Sequence, residues 1–293
     1  SAVPEIGFSD VILVEGQALD LLPAVSDADT PADELTFRIV GAAGWVVIDP
    51  ATGRLSGDTE GNAGSTSITV EVSDPEGLAA TATVRITVRA RPVITAANVT
   101  IVMGEALSHA ITATDPDGSD EELVFSLAAP HPWISIDPVT GVLSGDSSNR
   151  AGPTEIRVAV TDADGLRSEA RLVVDVKAPP QVADLDLALV EGETLEAALE
   201  AFDPDAPVEE LVFAFEGDAP DWITLDADTG VIGGLSKGQV GNYAFFVTAT
   251  DRDGLTTRAR ITVAVHARPA IHPASLTLVE GEALSFVPQV DDA

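Results

Sequence analysis

Apolar and polar residues alternate through most of the chain. In stretches such as ITVEVS (68–73), ATVRITV (82–88) and IRVAVT (156–161), every second residue is apolar or nearly so. A period of two residues predicts β-strands with one buried face, whereas no segment sustains the period of an amphipathic α-helix. The pattern therefore predicts an all-β protein.

The same segment occurs three times at a constant spacing. SDADTPADELTF at 26–37 recurs as TDPDGSDEELVF at 114–125 and as FDPDAPVEELVF at 202–213, an offset of 88 residues each time. Repetition at a fixed period indicates a tandem array of structural units. Other landmarks keep that spacing within one residue: Trp45, Trp133 and Trp222, and the DPATG, DPVTG and DADTG segments.

Proline-containing linkers (RPVI, PPQV and RPAI) separate the units. They divide the chain into repeats at 1–91, 92–178 and 179–268, followed by the first two strands of a truncated fourth repeat at 269–293. Two strands cannot bury a sandwich core alone. If they are ordered, we expect them to pack on the third repeat or to pair with another molecule.

Each repeat contains about seven short strands, separated by Gly, Asp and Pro turn signals. This spacing is typical of an immunoglobulin-like sandwich, here without cysteines. The predicted fold is therefore a series of seven-stranded Greek-key β-sandwiches, arranged end to end. We predict the DPATG-like segments to be tight turns and the three tryptophans to belong to the cores rather than to a sugar-binding platform.

The chain is strongly acidic, with 48 acids, 15 bases and a formal net charge of −33. Phosphate backbones and anionic membranes would be repelled, so we expect no nucleic-acid partner and no membrane insertion. No apolar run is long enough to span a bilayer, and any secretion signal would lie outside this segment. The acidity indicates either a solvated, salt-adapted surface or acids gathered to bind divalent cations.

The order VEG, SDAD, ELTF, W-x-x-IDPATG-x-LSG and VSDPEGL within one repeat resembles dystroglycan-type cadherin-like domains, and the resemblance covers all three repeats. Such domains are frequent in large bacterial surface adhesins. The resemblance implies an extracellular or cell-surface location and a cadherin-like sandwich. It also implies calcium binding at domain junctions.

Acidic residues recur in two loops of each repeat, and the predicted topology brings these loops to the same end of the sandwich. Calcium takes six to eight oxygen ligands at about 2.3–2.6 Å, which an Asp-x-Asp loop facing a second carboxylate can supply. The alternative is that Asp-x-Asp only closes a turn through side chain to backbone bonds. By resemblance to cadherins, the ligands would be Asp27, Asp29 and Asp74, then Asp115, Asp117 and Asp162, then Asp203, Asp205 and Asp251.

Two departures from cadherins limit the expected number of ions. The acidic linker is replaced by RARPVI, KAPPQV and HARPAI, and the later acidic motif of the upstream domain has no counterpart. We therefore expect one calcium ion in each cluster, bound with a Kd of about 10⁻⁴ to 10⁻³ M. Cadherins also use a Glu near the end of the first strand to reach the ion of the next domain. Its counterparts here are Glu15, Glu191 and Glu280, but the second repeat has Met103. We therefore expect calcium to stiffen the first junction more than the second.

An enzyme is not predicted, because the four histidines lie at unrelated repeat positions and no nucleophile or phosphate-binding motif occurs. The sequence instead favours a calcium-rigidified segment of an extracellular adhesin, acting as a stalk or as a cell–cell adhesion module. The alternative is that the repeats themselves bind a cell-surface polysaccharide or identical repeats.

Overall fold

The structure is a computed structural model that describes residues 2–206 and 210–291. Within these residues the regular structure consists of β-strands and short 3₁₀ turns, with no α-helix. The first repeat contains nine strand segments: β1 (Glu5–Gly7), β2 (Val11–Val14), β3 (Leu19–Leu21), β4 (Ala24–Ser26), β5 (Thr36–Val40), β6 (Val47–Ile48), β7 (Leu55–Gly57), β8 (Gly64–Ser73) and β9 (Ala79–Arg89).

Within the part of the chain that the structure describes, the second and third repeats contain nine segments each, in the same order. In the second repeat they are β10 (Val93–Thr95), β11 (Val99–Val102), β12 (Ala106–Ala110), β13 (Thr112–Thr114), β14 (Val124–Leu127), β15 (Ile134–Ile136), β16 (Val142–Asp146), β17 (Gly152–Thr161) and β18 (Arg167–Lys177). In the third they are β19 (Gln181–Val182), β20 (Leu185–Val190), β21 (Thr194–Ala198), β22 (Ala201–Phe202), β23 (Val212–Glu216), β24 (Ile223–Leu225), β25 (Val231–Leu235), β26 (Gly241–Thr250) and β27 (Thr256–His266).

Each repeat has nine segments rather than about seven because its first two strands are interrupted. The first strand begins in a separate two-stranded sheet, where β1 pairs with β4, and continues in the large sheet, where β2 runs parallel to β9. The large sheet has the order β2-β9-β8-β5 and the small one β3-β7-β6. Both orders recur in the next two repeats. The predicted fold class, tandem Greek-key β-sandwiches, is confirmed.

The cores consist of the apolar residues that face inward from both sheets. In the first repeat they include Leu55, Val70 and Ile86, which are fully buried. Trp45 packs against this core and Trp222 against that of the third repeat, as predicted. Each tryptophan lies directly on a glycine of the small sheet. An added Cβ would lie 2.7 Å from the Trp45 ring at Gly57, 2.9 Å from that of Trp133 at Gly145 and 3.0 Å from that of Trp222 at Gly234.

The DPATG-like segments form tight turns, which confirms that prediction. Asp137 Oδ1 accepts hydrogen bonds from the backbone N–H groups of Val139 (2.9 Å) and Thr140 (2.8 Å). Gly141 has a φ of +68° and lies against the ring of Phe125, so a side chain there would be both strained and crowded. Equivalent turns form at Asp49 and at Asp226.

Contacts between Cα atoms divide the chain into two compact units. The first contains residues 1–99, 106–146 and 154–174, and the second contains 100–105, 147–153 and 175–293.

Near the end of the chain, β28 (Ala270–Ile271) pairs with β29 (Val290–Asp291). Every described residue from 270 to 291 falls in the exposed class, and packing of these strands on the third repeat stays a prediction. Pairing with another molecule stays a prediction.

Candidate functional site

The predicted ligands form three groups, which we call the first, second and third acidic clusters. Each contains an Asp-x-Asp pair and two acids of the loop before the last strand. The first cluster comprises Asp27, Asp29, Asp74 and Glu76; the second comprises Asp115, Asp117, Asp162 and Asp164; the third comprises Asp203, Asp205, Asp251 and Asp253.

The first aspartate of each pair closes its own loop. Asp115 Oδ1 accepts hydrogen bonds from the backbone N–H groups of Asp117 (3.1 Å) and Gly118 (2.9 Å). The Asp-x-Asp turn, which is the alternative to metal binding, therefore does form. It uses only one of the two carboxylate oxygens of Asp115 in these bonds, so it does not exclude a metal ion. The other two repeats match: Asp29 and Thr30 donate to Asp27 Oδ1, and Asp205 donates to Asp203 Oδ1.

The second aspartate of each pair holds the linker that precedes its repeat. Ala90 N–H donates to Asp117 Oδ1 (2.6 Å) and Ala178 N–H donates to Asp205 Oδ1 (2.8 Å). Ala2 N–H donates to the Asp29 carboxylate at 2.9 Å. Sequence reasoning missed this bond. The available signal was an alanine in register with each pair, 27 residues before its second aspartate.

The third aspartate closes the loop before the last strand. Asp162 is 8% exposed, and its Oδ1 accepts a hydrogen bond from Leu166 N–H at 2.8 Å. Leu78 and Leu255 donate in the same way to Asp74 and Asp251, which are 5% and 7% exposed. Because a hydrogen-bonded carboxylate is the form that tolerates burial, these bonds fix the three side chains in place.

The two loops come close enough for their carboxylates to repel one another. Burial raises the pKa of Asp117, the Ala90 hydrogen bond opposes this, and the charges of Asp115, Asp164 and Asp162 raise it further. In the third cluster, burial likewise raises the pKa of Asp203, with added contributions from the neighbouring Asp205 and Asp251 charges. The structure therefore brings the predicted aspartates of both loops together in these two repeats.

One basic side chain from the end of the preceding last strand reaches each of these two clusters. Arg89 contacts Asp164 at 2.8 Å, and both side chains are more than one third exposed. Lys177, which is in register with Arg89, has its Nζ atom 3.2 Å from Asp175, 3.3 Å from Asp253 and 3.5 Å from Asp205. Burial lowers the pKa of Lys177, but hydrogen bonds and charge interactions with Asp175 and Asp253 outweigh it, so the net shift is upward.

The two glutamates expected to bridge domains bind backbone of their own repeats. Glu15 Oε1 accepts a hydrogen bond from Gly61 N–H (2.6 Å), and Glu191 Oε1 accepts one from Gly238 N–H (2.9 Å). Met103 cannot accept such a bond. The residue in register with these glycines is then Asn149, which adopts a φ of +59°. The bridging role of the glutamates stays a prediction.

The chemistry of the clusters fits a cation, although their present geometry is open. Among residues 2–206 and 210–291, no three carboxylate or histidine side chains converge as a metal-binding group. Asp27 Oδ2 is nevertheless buried without a hydrogen-bond partner in that part of the chain. Carboxylate oxygens are the donors that calcium prefers. Asp27, Asp29 and Asp74, and likewise Asp115, Asp117 and Asp162, could hold such an ion.

Comparison with known proteins gives a family match for most of the chain. Residues 9–89, 91–177 and 183–266 each match the family described as "Putative Ig domain". No curated protein sequence matches the chain. Within the described residues, no helix has the length and apolar character needed to cross a membrane.

Similar solved structures are also tandem arrays. The I-band fragment I67–I69 from titin is 13% identical with a TM-score of 0.53, and the match covers 90% of this chain and 99% of the fragment. Mouse cadherin-23 EC22-24 is 19% identical with a TM-score of 0.43, covering 92% of this chain and all of the other. At these identities the likeness concerns the fold alone, and the titin fragment supports it best.

Proposed function

Because the chain belongs to the Putative Ig domain family, in three tandem copies, we propose that it is a segment of an extracellular stalk or adhesion protein. Its repeats act as spacer units, and calcium completes the acidic clusters of the first and second repeats. A serial array of small sandwiches suits this role because each repeat adds length without any need for a shared core. No catalytic role is proposed.

The observation that carries the proposal is the linker bond. In each repeat, an alanine amide of the linker donates to the second aspartate of the Asp-x-Asp pair. At Asp205, whose side chain is buried, such a hydrogen bond to a charged acceptor contributes about 1.5–3 kcal/mol. The bond therefore attaches the linker to the top of the repeat that follows it. Such attachment restricts bending, which is what a spacer requires.

Two observations support calcium at the first and second clusters. Asp27 Oδ2 is buried without a partner among the described residues, which is costly for a carboxylate oxygen. In the second cluster, the pKa of Asp117 is raised by burial and by three nearby carboxylates, and the four aspartates carry more negative charge than Arg89, which contacts Asp164 at the exposed edge, can balance. A divalent cation would supply that charge.

We also propose that the parent protein is a bacterial surface adhesin, on the resemblance of the repeat motifs to dystroglycan-type cadherin-like domains. The alternative in which the repeats bind polysaccharide has less support. Aromatic rings that stack on sugars must be exposed, whereas Trp45 and Trp222 pack against the cores of their repeats. Self-association of identical repeats is the partner that we propose if the chain adheres directly.

A calcium titration of the whole chain tests the proposal. We expect calorimetry to give two ions per chain and millimolar calcium to raise the melting temperature that a chelator lowers. Binding to the folded state alone contributes about 2.7 kcal/mol per site at a hundredfold excess over Kd. Magnesium should substitute poorly, because it prefers smaller and more hydrated octahedral sites. Identical melts with calcium and with chelator, at matched ionic strength, would refute the calcium part of the proposal.

A further inference from the structure

We propose that Lys177 is the resident cation of the third acidic cluster, so that the junction between the second and third repeats closes without a metal ion. The cluster is the one that would otherwise resemble the second, since it contains the same four aspartates in register. The inference goes beyond the proposed function, because it concerns a junction that needs no calcium.

The contacts of Lys177 carry the inference. Its ammonium group lies within 3.5 Å of three carboxylates, those of Asp175, Asp205 and Asp253, and its side chain is only 17% exposed. The side chain of Asp205 is only 2% exposed. A buried carboxylate is tolerated only when it is paired and hydrogen-bonded. Asp205 has both kinds of partner, because Ala178 N–H donates to its other oxygen.

Two sequence changes distinguish the surroundings of the third cluster, one that helps to hold the lysine and one that adds a base. Asp175 stands where the first repeat has Thr87, which places an additional carboxylate beside the lysine. Arg252 stands where the second repeat has Ala163, and it contacts Glu210 at 3.2 Å and Asp253 at 3.9 Å. The third cluster therefore has two nearby bases, whereas Arg89 is the basic side chain that contacts the second.

The shape of the lysine side chain also suits simultaneous contact with several carboxylates. A lysine presents a compact charge with three N–H donors on a flexible stem, whereas an arginine presents a planar group suited to a single carboxylate. Lys177 accordingly contacts aspartates from the strand end and from both loops, whereas Arg89 contacts Asp164 alone in the second cluster. Replacing the metal by a tethered charge makes the junction independent of the calcium concentration outside the cell.

The test is hydrogen exchange of the two linker amides, Ala90 and Ala178, followed by NMR on the whole chain in calcium and in chelator. We expect the protection of Ala178 to be equal in both conditions in the unmodified chain. In Lys177→Met, which keeps the alkyl stem, we expect protection in chelator to fall about tenfold, because Asp205 loses its charged partner. Lys177→Arg should retain only part of the protection, because it keeps the charge but presents a planar group suited to a single carboxylate. Arg89→Met is the matched control, which should leave Ala178 unchanged.

The outcomes separate this inference from the proposed function. Calcium-dependent protection of Ala178 in the unmodified chain, or full protection in Lys177→Met with chelator, would overturn the inference. If the calcium proposal is wrong, the exchange protection of the Ala90 amide should be the same in calcium and in chelator. The result for Ala178 would not be affected. If Lys177→Met does not fold, Lys177→Gln provides the same test, since it removes the charge but keeps a polar side chain, and it should weaken Ala178 protection severalfold.

Discussion

The second and third acidic clusters have the same four aspartates and the same linker bond, but they differ in the charge that balances them. In the second, Arg89 contacts Asp164 at the exposed edge, and burial together with three nearby carboxylates raises the pKa of Asp117. In the third, Lys177 lies among three carboxylates and has little exposure. Two junctions of one repeat family thus solve the same electrostatic problem in different ways.

This difference shows that the charge balance of an acidic cluster depends on residues of the preceding repeat. Lys177 and Asp175 belong to the last strand of the second repeat, yet they determine the charge balance of the third cluster. A motif read within one repeat is therefore insufficient to assign a metal site. The residue that ends the preceding strand must be included.

The largest expected effect is the loss of bound calcium when the second cluster, but not the third, is mutated. Replacing Asp115 and Asp117 together by Asn should remove one calcium ion per chain, with the roughly 2.7 kcal/mol that an occupied site contributes at a hundredfold excess over Kd. Asparagine keeps an oxygen that can accept the backbone bonds of the loop and linker, so the fold should persist. Calorimetric stoichiometry and melts in calcium and chelator are the measurements.

The matched control for that experiment is the same pair of changes in the third cluster, Asp203→Asn with Asp205→Asn. It should leave the calcium stoichiometry unchanged, because Lys177 already supplies the cation there. Loss of an ion from this variant, or an unaltered count in the Asp115 and Asp117 variant, would show that the clusters are assigned the wrong way round.

A smaller effect concerns Met103, whose backbone N–H bonds to Lys177 O at 2.7 Å. Introducing Met103→Glu with Asn149→Gly should recreate the carboxylate to amide bond that Glu15 and Glu191 make. We expect a gain of about 0.5–1.5 kcal/mol, the net contribution of a typical hydrogen bond. Urea unfolding in chelator measures it.

Asn149→Gly alone is the control for the double variant, since removing a side chain at positive φ changes stability by itself. A double variant no more stable than this control would argue that the glutamates serve another purpose, such as the predicted bridge to the next repeat.

The smallest expected effect concerns the aspartate of the DPATG-like turn, which has the same environment in all three repeats and therefore serves as an internal standard for acid sensitivity. Backbone hydrogen bonds from Thr140 and Val139 lower the pKa of Asp137 below 3.8. The pKa values of Asp49 and Asp226 are lowered by equivalent hydrogen bonds. A lowered folded-state pKa means that the stabilisation is complete above pH 3.8 and is lost as the pH falls through the lower folded value.

Acid unfolding of Asp137→Asn tests this standard. We expect a shallower loss of stability below pH 3.8 than in the unmodified chain, because asparagine accepts the turn bonds without titrating. An unchanged pH dependence would mean that the turn carboxylates do not contribute, and the acid sensitivity would then belong to the clusters.

Much of the fold could be predicted from the sequence because its determinants are local. Alternation along β8 and β9 and the Asp and Gly of each DPATG-like turn are visible in neighbouring residues, and the repeats follow from the recurrence of such local motifs at a constant spacing. The interruption of the first two strands could not be read in this way. It depends on which sheet each half joins, and therefore on partners far along the chain.

The sequence by itself determined that the acids gather in two loops of each repeat, since a periodic pattern and a known topology suffice for that inference. Only the tertiary structure decided what each carboxylate binds. Lys177 meets Asp205 and Asp253 across 28 and 76 residues, and Glu15 meets Gly61 across 46. Charge neutralisation falls off with distance in space rather than along the chain, so only the packed strands and linker determine which base reaches which acid.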